Sequence, residues 1–141
     1  MKQDLSIARD MLLKERLSLV VVKNGEIVFT SRLDGIKGLL KAIDSFNGKL
    51  GGASIADRVI GKAAALLVLK ANIKEVYSPV ISSPALQVLE SNRVAIFSEK
   101  TVDYIENRKK DGVCPMEQMC LEVDDPEEAF LKLSQIIKGG N

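Results

Sequence analysis

The spacing of hydrophobic positions alternates along the chain between a helical and a strand-like period. Residues 3–15 carry apolar side chains at helical spacing and predict a first helix. Residues 17–22 and 26–30 are rich in apolar and β-branched residues and predict two strands. Because Asn24-Gly25 favours the positive φ angles of a two-residue turn, we expect these strands to form a β-hairpin.

An apolar helix is the main feature predicted for the middle of the chain. The pattern predicts a helix over 34–46, then a glycine-rich loop, and then a long helix over about 56–71. Residues 63–69 are apolar on every side, which is typical of a helix buried at the centre of a domain. The polar residues in the first two turns of this long helix are Asp57, Arg58 and Lys62.

The second half of the chain alternates between predicted strands and helices. Residues 75–82 predict a strand, and Ser82-Ser83-Pro84 predicts the capped start of the next helix. The elements expected after it are a strand over 93–97, a short helix over 100–107, an interrupted strand over 113–123, and a last helix that follows the capping box at 125–128 and ends at Gly139. This order favours the α/β class: a three-layer α/β/α sandwich around a mixed sheet, in a single domain over 1–141.

Composition narrows the class of protein. The chain has 141 residues, of which 46% are hydrophobic and 28% charged, as in ordinary globular domains. No apolar run approaches the roughly 20 residues that cross a bilayer, so we expect no membrane association. The first ten residues predict an amphipathic helix instead of an export signal. We therefore expect a cytoplasmic protein.

Charge and cysteine content point the same way. Twenty basic and nineteen acidic residues leave a net charge of +1, so we expect no nucleic acid partner. The basic cluster at 108–110 is interpreted as a solvated turn. Cys114 and Cys120 would lie about 20 Å apart in extended chain, too far for a disulfide without a bend. Reduced thiols in a reducing compartment are the expectation.

The chain contains no histidine, which excludes several kinds of site. Catalytic triads, Cys-His dyads, His-ligated zinc and imidazole acid-base catalysis all require that side chain. A zinc-dependent deaminase is excluded as well, because no histidine or cysteine stands at the starts of the two central helices, and we expect no metal ion and no cofactor. Whether the protein is an enzyme stays open.

A ligand site is predicted where two helix N-termini converge, because their unpaired amides favour anionic or polar groups. The candidate ligand-binding residues are Gly51, Gly52, Ser54, Asp57, Lys62, Ser82 and Ser83. The alternative is that the glycines form a turn, Ser54 or Asp57 caps the helix, and Arg58 and Lys62 are solvated. A Walker A loop is rejected, because alanines occupy its first glycine position and its hydroxyl position.

Cys114-Pro115-Met116-Glu117 is a second candidate for chemistry. A thiol and a carboxylate three residues apart can place a nucleophile near a base, so Cys114 is the candidate nucleophile with Glu117 or Asp57 as its acid-base partner. The alternative is a structural role for both side chains. Cys120 is expected in the core. Two thiols with nearby carboxylates are a weak signal for zinc.

Two strings, Ala-Asp-Arg-Val-Ile-Gly-Lys-Ala-Ala-Ala at 56–65 and Gly-Val-Cys-Pro-Met-Glu at 112–117, carry a likeness that extends over the whole chain. The sequence resembles a small prokaryotic family, classed as a domain of unknown function, whose fold is similar to that of the cytidine deaminases. In those enzymes a His- or Cys-Ala-Glu motif opens the second helix and a Pro-Cys-x-x-Cys motif opens the third, and together they hold zinc and a glutamate. Neither motif is present. The resemblance therefore implies a deaminase scaffold without its metal centre, with the cleft between the two helix starts retained.

Three hypotheses follow for function. The first is a zinc-free, deaminase-like domain that binds a small anionic or nucleotide-like ligand. The second is an enzyme that uses Cys114 as nucleophile. The third is a structural or partner-binding subunit, for which a homo-oligomer is expected.

Overall fold

The structure is a computed structural model and describes residues 2–139. Helices and strands alternate along these residues. In chain order the elements are α1 (Gln3–Lys14), β1 (Leu19–Lys23), β2 (Glu26–Ser31), α2 (Lys37–Phe46), β3 (Ser54–Asp57), β4 (Val59–Ile60), α3 (Lys62–Lys70), β5 (Glu75–Ser82), α4 (Ser83–Ser91), β6 (Ala95–Val102), α5 (Pro115–Cys120) and α6 (Pro126–Gly139).

The sheet is mixed, as the sequence predicts. Its antiparallel part is the hairpin β1–β2, whose turn residues Asn24 and Gly25 have φ angles of 53° and 81°. β1 pairs antiparallel with β3, and β3 pairs parallel with β5. β6 pairs parallel with β5 along its whole length, so β3 and β4 share the opposite edge of β5, end to end.

The prediction of one helix over 56–71 is wrong at its start. Residues 54–57 form β3 and residues 59–60 form β4, and α3 begins only at Lys62. The strand is favoured because Ser54–Asp57 is paired on both sides, by β1 and by β5, so its backbone groups are satisfied within the sheet. Every residue from Lys62 to Val68 is buried, which confirms the predicted central position of this helix.

The helices cover the two faces of the sheet unequally. On one face α1 alone packs Leu5, Ala8 and Leu12 against β1, β3 and β5. On the other face α3 is enclosed by α2, α4, α5 and α6. This is the predicted three-layer α/β/α sandwich. Within residues 2–139, none of the helices has both the length and the apolar character required to cross a membrane.

Two further predictions are wrong. Residues 100–107 do not form a helix, because β6 extends to Val102 alongside β5. Residues 113–123 contain α5 instead of a strand, and Pro115 occupies its first turn, where proline is favoured. The capped starts of α4 and α6 are as predicted: Ser82 accepts a hydrogen bond from the Ala85 amide, and Asp125 accepts one from the Glu128 amide.

Candidate functional site

Helix α3 begins beneath a carboxylate supplied by a distant part of the chain. Glu117 of α5 accepts hydrogen bonds from the backbone amides of Lys62 at 2.5 Å and Ala63 at 2.9 Å. These amides belong to the first turn of α3, where helical donors have no partner within the helix. Gly61 precedes them, and a methyl group at that position would overlap the Glu117 carboxyl group. Glycine is therefore required at residue 61 for Glu117 to reach the helix.

The side chain of Lys62 binds the segment that follows α5. Its ammonium group donates to the Leu121 carbonyl at 3.0 Å and to Asp124 Oδ1 at 3.1 Å, and only 8% of the residue is exposed. The alternative interpretation of Lys62 as a solvated side chain is therefore wrong. Burial raises the pKa of the Glu117 carboxyl, and the Ala63 and Lys62 amides, together with the Lys62 charge, oppose this rise.

A cleft of about 1020 Å³ lies beside this helix start. It lies between the β2–α2 loop, the start of α3 and the segment from residue 105 to residue 117. Its apolar lining residues are Ile36, Val59, Ala64, Ile105, Met116 and Ile137. Its ionisable lining residues are Asp34, Lys37, Glu106, Arg108, Lys109, Asp111, Cys114 and Glu117.

Arg108 joins two of the loops that line the cleft. Its guanidinium group donates to Asp34 Oδ2 at 3.2 Å in an exposed ion pair. The predicted solvated basic turn is therefore partly paired and contributes Arg108 and Lys109 to the cleft. A second depression of about 770 Å³ shares Val59 and Ile105 with the first and lies towards β6.

The two cysteines differ in environment. Cys114 is half-buried, lines the cleft and immediately precedes α5. Cys120 is fully buried in the core, as the sequence predicts, and burial, followed by the charge of Glu117, raises its pKa to about 11. Both thiols are free. Cys114 is therefore the thiol that a bound molecule could contact.

The predicted ligand-binding residues lie at opposite ends of the strands. Gly51, Gly52 and Ser54 lie before or at the start of β3, and Ser54 Oγ donates to the buried Glu75 carboxylate at 2.6 Å. Asp57 lies at the far end of β3. The structure therefore does not bring Gly51, Gly52 and Ser54 together with Asp57 and Lys62, because the length of a parallel strand separates them.

Neither Ser54 nor Asp57 caps α3, because both lie in β3. Asp57 is 7% exposed, and burial raises the pKa of its carboxyl from 3.8 to about 7. Arg58, which follows it, donates to the carbonyls of Leu12 and Leu17 at 2.9 Å each. Arg58 is thus half-buried and stabilises the end of α1.

The starts of α3 and α4 lie side by side, because Ile60 before α3 pairs with Ile81 before α4. The serines at α4 are engaged locally. Ser82 accepts from the Ala85 amide at 3.2 Å, and Ser83 Oγ donates to the Val102 carbonyl at 3.4 Å. The cleft is lined by Gly61 on the α3 side and by neither serine.

Comparison with known proteins places the chain within a family. The model of the family TM1506, described as Domain of unknown function (DUF1893), matches residues 7–137. The chain belongs to this family. A crystal structure of a DUF1893 family protein (TM1506) from Thermotoga maritima is 29% identical, with a TM-score of 0.87, and the match covers 96% of this chain and 92% of that one. No functionally curated protein matches the chain.

The fold of the DUF1893 chain is also that of a deaminase. The dCMP deaminase from cyanophage S-TIM5, in its apo form, has a TM-score of 0.50 at 16% identity, over 70% of this chain and 99% of that one. At this identity the likeness concerns the fold alone. The resemblance to a domain of unknown function with a cytidine-deaminase-like fold is thereby confirmed.

The residues at the two helix starts do not fit a deaminase zinc centre. Such a centre needs thiolate or imidazole ligands at both helix starts. Here α3 begins with Lys62 directly after Gly61, and α4 begins with Ser83. The Glu117 carboxylate at the start of α3 is already bound to backbone amides. In the part of the chain that the structure describes, no three Cys, Asp or Glu side chains are grouped to hold a metal ion.

Several residues of the cleft escaped prediction from the sequence. Asp34 and Ile36 lie in the loop before α2, Lys37 is the first residue of α2, and Ile105 lies after β6. No local motif marks them, because they meet only when the chain is folded. Gly61 directly ahead of Lys-Ala-Ala-Ala was a usable signal, since glycine is accepted at the position before a helix.

Proposed function

We propose that this domain binds a small nucleobase-like or nucleotide-like molecule in the cleft beside α3. The observation that carries the proposal is the cleft itself: about 1020 Å³, with an apolar lining and a buried carboxylate at its edge. Clefts of about 300–1000 Å³ that combine apolar walls with a few placed polar groups are typical small-molecule sites. The deaminase-like fold supports a ring-shaped ligand only by analogy.

The charges of the cleft favour a ligand that carries both hydrogen-bond donors and an anionic group. Its basic residues are Lys37, Arg108 and Lys109, and its acidic residues are Asp34, Glu106, Asp111 and Glu117. Because the two signs are nearly balanced, a simple anion gains little from the cleft as a whole. A nucleotide can place its phosphate near Arg108 and Lys109 and its base against the apolar wall.

The cleft-based proposal revises the predicted contact residues. Lys62 remains close to the site through its backbone, whose amide is held by Glu117. Ser82 and Ser83 lie at the neighbouring helix start, where they would act on a ligand only if it extended beyond the cleft. Gly51, Gly52 and Ser54 lie at the opposite end of β3, and the proposed site does not include them.

Native mass spectrometry of the purified protein tests the proposal first, together with measurement of its metal content. A mass adduct that disappears on denaturation would identify the ligand class. Thermal shift with nucleobases, nucleosides and nucleotides follows, in the wild type and in an Arg108→Ala/Lys109→Ala variant. A variant with Lys14→Ala and Lys41→Ala, both outside the cleft lining, is the charge-matched control. Equal effects of the two variants on nucleotide binding would contradict the proposal.

A thiol-dependent enzyme is the second candidate, because Cys114 lines the same cleft as Glu117. The Glu117 carboxylate is directed to the Lys62 and Ala63 amides, so its role as acid-base partner would require it to leave them. Asp57 is absent from the cleft lining and is the weaker partner. Selective alkylation of Cys114 that a bound nucleotide blocks would support this candidate, and equal, slow labelling of both thiols would refute it.

A cytoplasmic location belongs to the same proposal. Two free thiols are typical of a reducing compartment. A purely structural subunit would instead use exposed apolar side chains such as Leu121 and Leu131 in an interface between copies. Light scattering together with the nucleotide thermal shift distinguishes ligand binding from a structural role. A monomer that binds nucleotides would contradict the structural role.

A further inference from the structure

We infer that Glu117 is the ligand-recognition residue of the cleft and that it accepts a hydrogen bond from an N–H group, so that the ligand is a planar ring with an amino or amidine substituent. This inference rests on the proposed function of the cleft and specifies the chemistry of its ligand. It also reverses the polarity expected at α3. An uncovered helix N-terminus attracts anions, whereas a helix N-terminus covered by a carboxylate attracts donors.

The start of α3 is unavailable to an anionic ligand because Glu117 already holds it. The amides of Lys62 and Ala63 donate to the two oxygens of its carboxylate, one to each. Gly61 leaves the space that the carboxylate fills. A phosphate or carboxylate of a ligand could bind these amides only by expelling a group of the same charge.

The segment that carries Glu117 is fastened at independent points on either side of it. Before α5, the Cys114 amide donates to the Ile105 carbonyl at 2.8 Å. After α5, Lys62 Nζ holds the Leu121 carbonyl and Asp124, while the side chains of Cys120 and Val123 are buried in the core. Expelling Glu117 would therefore disturb packed core residues as well as two hydrogen bonds, which favours a carboxylate that stays in place.

The carboxylate retains the capacity to accept a ligand donor. A carboxylate offers about four acceptor positions, and among residues 2–139 only the two amides donate to Glu117. Although 8% exposed, Glu117 lines the cleft. A buried carboxylate is stabilised by any further donor that approaches it, because water supplies few.

The apolar walls of the cleft define the rest of the ligand. Ile36, Ile105 and Met116 line the same space as Glu117. They suit the faces of a flat ring, whose edge would then carry the N–H group to the carboxylate. Arg108 and Lys109 lie in the same lining and suit an anionic substituent on the far side of the ring.

A matched pair of probes tests the inference on the wild-type protein. Benzamidine presents N–H donors on an aromatic ring, and benzoate presents a carboxylate on the same ring. We expect benzamidine to bind at least about tenfold more tightly than benzoate. NMR titrations measure both affinities from the amide chemical shifts of Gly61, Cys114 and Met116. Binding of benzoate with equal or greater affinity, with the larger shifts at Lys62 and Ala63, would overturn it.

Two variants connect the preference to Glu117. Glu117→Gln is expected to weaken benzamidine binding by about tenfold or more. Glu122→Gln removes the same charge from an exposed residue outside the cleft lining and is expected to leave the affinity within about twofold. Equal losses in both variants would overturn the inference, because a general charge effect would then suffice. The wild-type comparison of the two probes remains decisive if Glu117→Gln does not fold.

The experiment separates this inference from the proposal on which it rests. If both probes shift the cleft amides equally, the cleft is a binding site and the specific role of Glu117 is refuted. If neither probe nor any nucleotide shifts those amides, the proposed function and the inference both fail.

Discussion

The contact between Gly61 and Glu117 should contribute measurably to the free energy of unfolding. Glu117→Ala removes two hydrogen bonds to backbone amides in the first turn of α3. Hydrogen bonds to charged groups contribute about 1.5–3 kcal/mol each. Because water from the cleft can reach the freed amides, we take the lower value and expect a loss of about 3 kcal/mol in the free energy of unfolding, or roughly 10 °C in Tm.

Gly61→Ala is expected to cost nearly as much, for the same reason. The added methyl group would occupy the space of the carboxylate, which would then lose the two amides. The backbone itself tolerates alanine, since Gly61 has φ near −101° and ψ near −176°. Restriction of the unfolded chain returns about 0.4–1 kcal/mol. The net loss should therefore be about 2–3 kcal/mol.

The double variant separates this explanation from ordinary destabilisation. Without the carboxylate, the methyl group that Gly61→Ala introduces meets no obstacle. Gly61→Ala and Glu117→Ala together should therefore lower the free energy of unfolding no more than Glu117→Ala alone. Urea unfolding followed by circular dichroism would then give a coupling free energy of about 2–3 kcal/mol. Gln118→Ala, at an exposed position of the same helix, is the control and should cost less than about 0.5 kcal/mol. Additive losses from the two single variants would show that Gly61 and Glu117 stabilise the protein independently.

Three other measurements test the buried groups. Burial raises the pKa of Asp57 from 3.8 to about 7, so the folded state binds a proton that the unfolded state has lost, and the free energy of unfolding should fall as pH rises between these values and stay level above them. Asp57→Asn should weaken this dependence, leaving the part due to Glu117, whose pKa is also raised by burial, and should stabilise the protein by roughly 2–4 kcal/mol at about pH 8; an unchanged pH profile in urea unfolding would contradict it. Iodoacetamide should label the half-buried Cys114 more than about tenfold faster than the fully buried Cys120, as followed by mass spectrometry, and equal rates would show that the α5 segment opens as a unit. Arg58→Ala should cost about 2 kcal/mol and speed hydrogen exchange at the end of α1, because two carbonyl contacts are lost, whereas the exposed Lys41→Ala should do neither.

Local chemistry allowed the hairpin and the capped helices to be predicted from the sequence. Asn24-Gly25 adopts positive φ angles that few other pairs accept, and Ser82 caps α4 through its own side chain. In each case the deciding contact lies within three residues along the chain. The buried central helix was also predictable, because its apolar run excludes a solvent-facing surface.

The start of α3 could not be located by the same means. Residues 54–60 are compatible with a helix, and only pairing with β1 and β5 makes them strands. Glu117 lies 55 residues from the amide that it caps, so no motif around Gly61 announces it. Gly51, Gly52 and Ser54 were therefore grouped with Asp57 and Lys62 in the prediction, although the length of β3 separates the two sets.

The placement of α5 also has a consequence for the order in which the chain can fold as it is synthesised. The six strands that the structure describes are complete once Val102 has been made, but the central helix then still lacks Glu117, and Cys120 and Leu133 are missing from the core around it. A nascent chain of that length would expose the apolar surface of α3 to solvent. Residues 103–139 thus add no strand, yet they close the core, and a shortened chain that ends at Val102 should bind chaperones and aggregate.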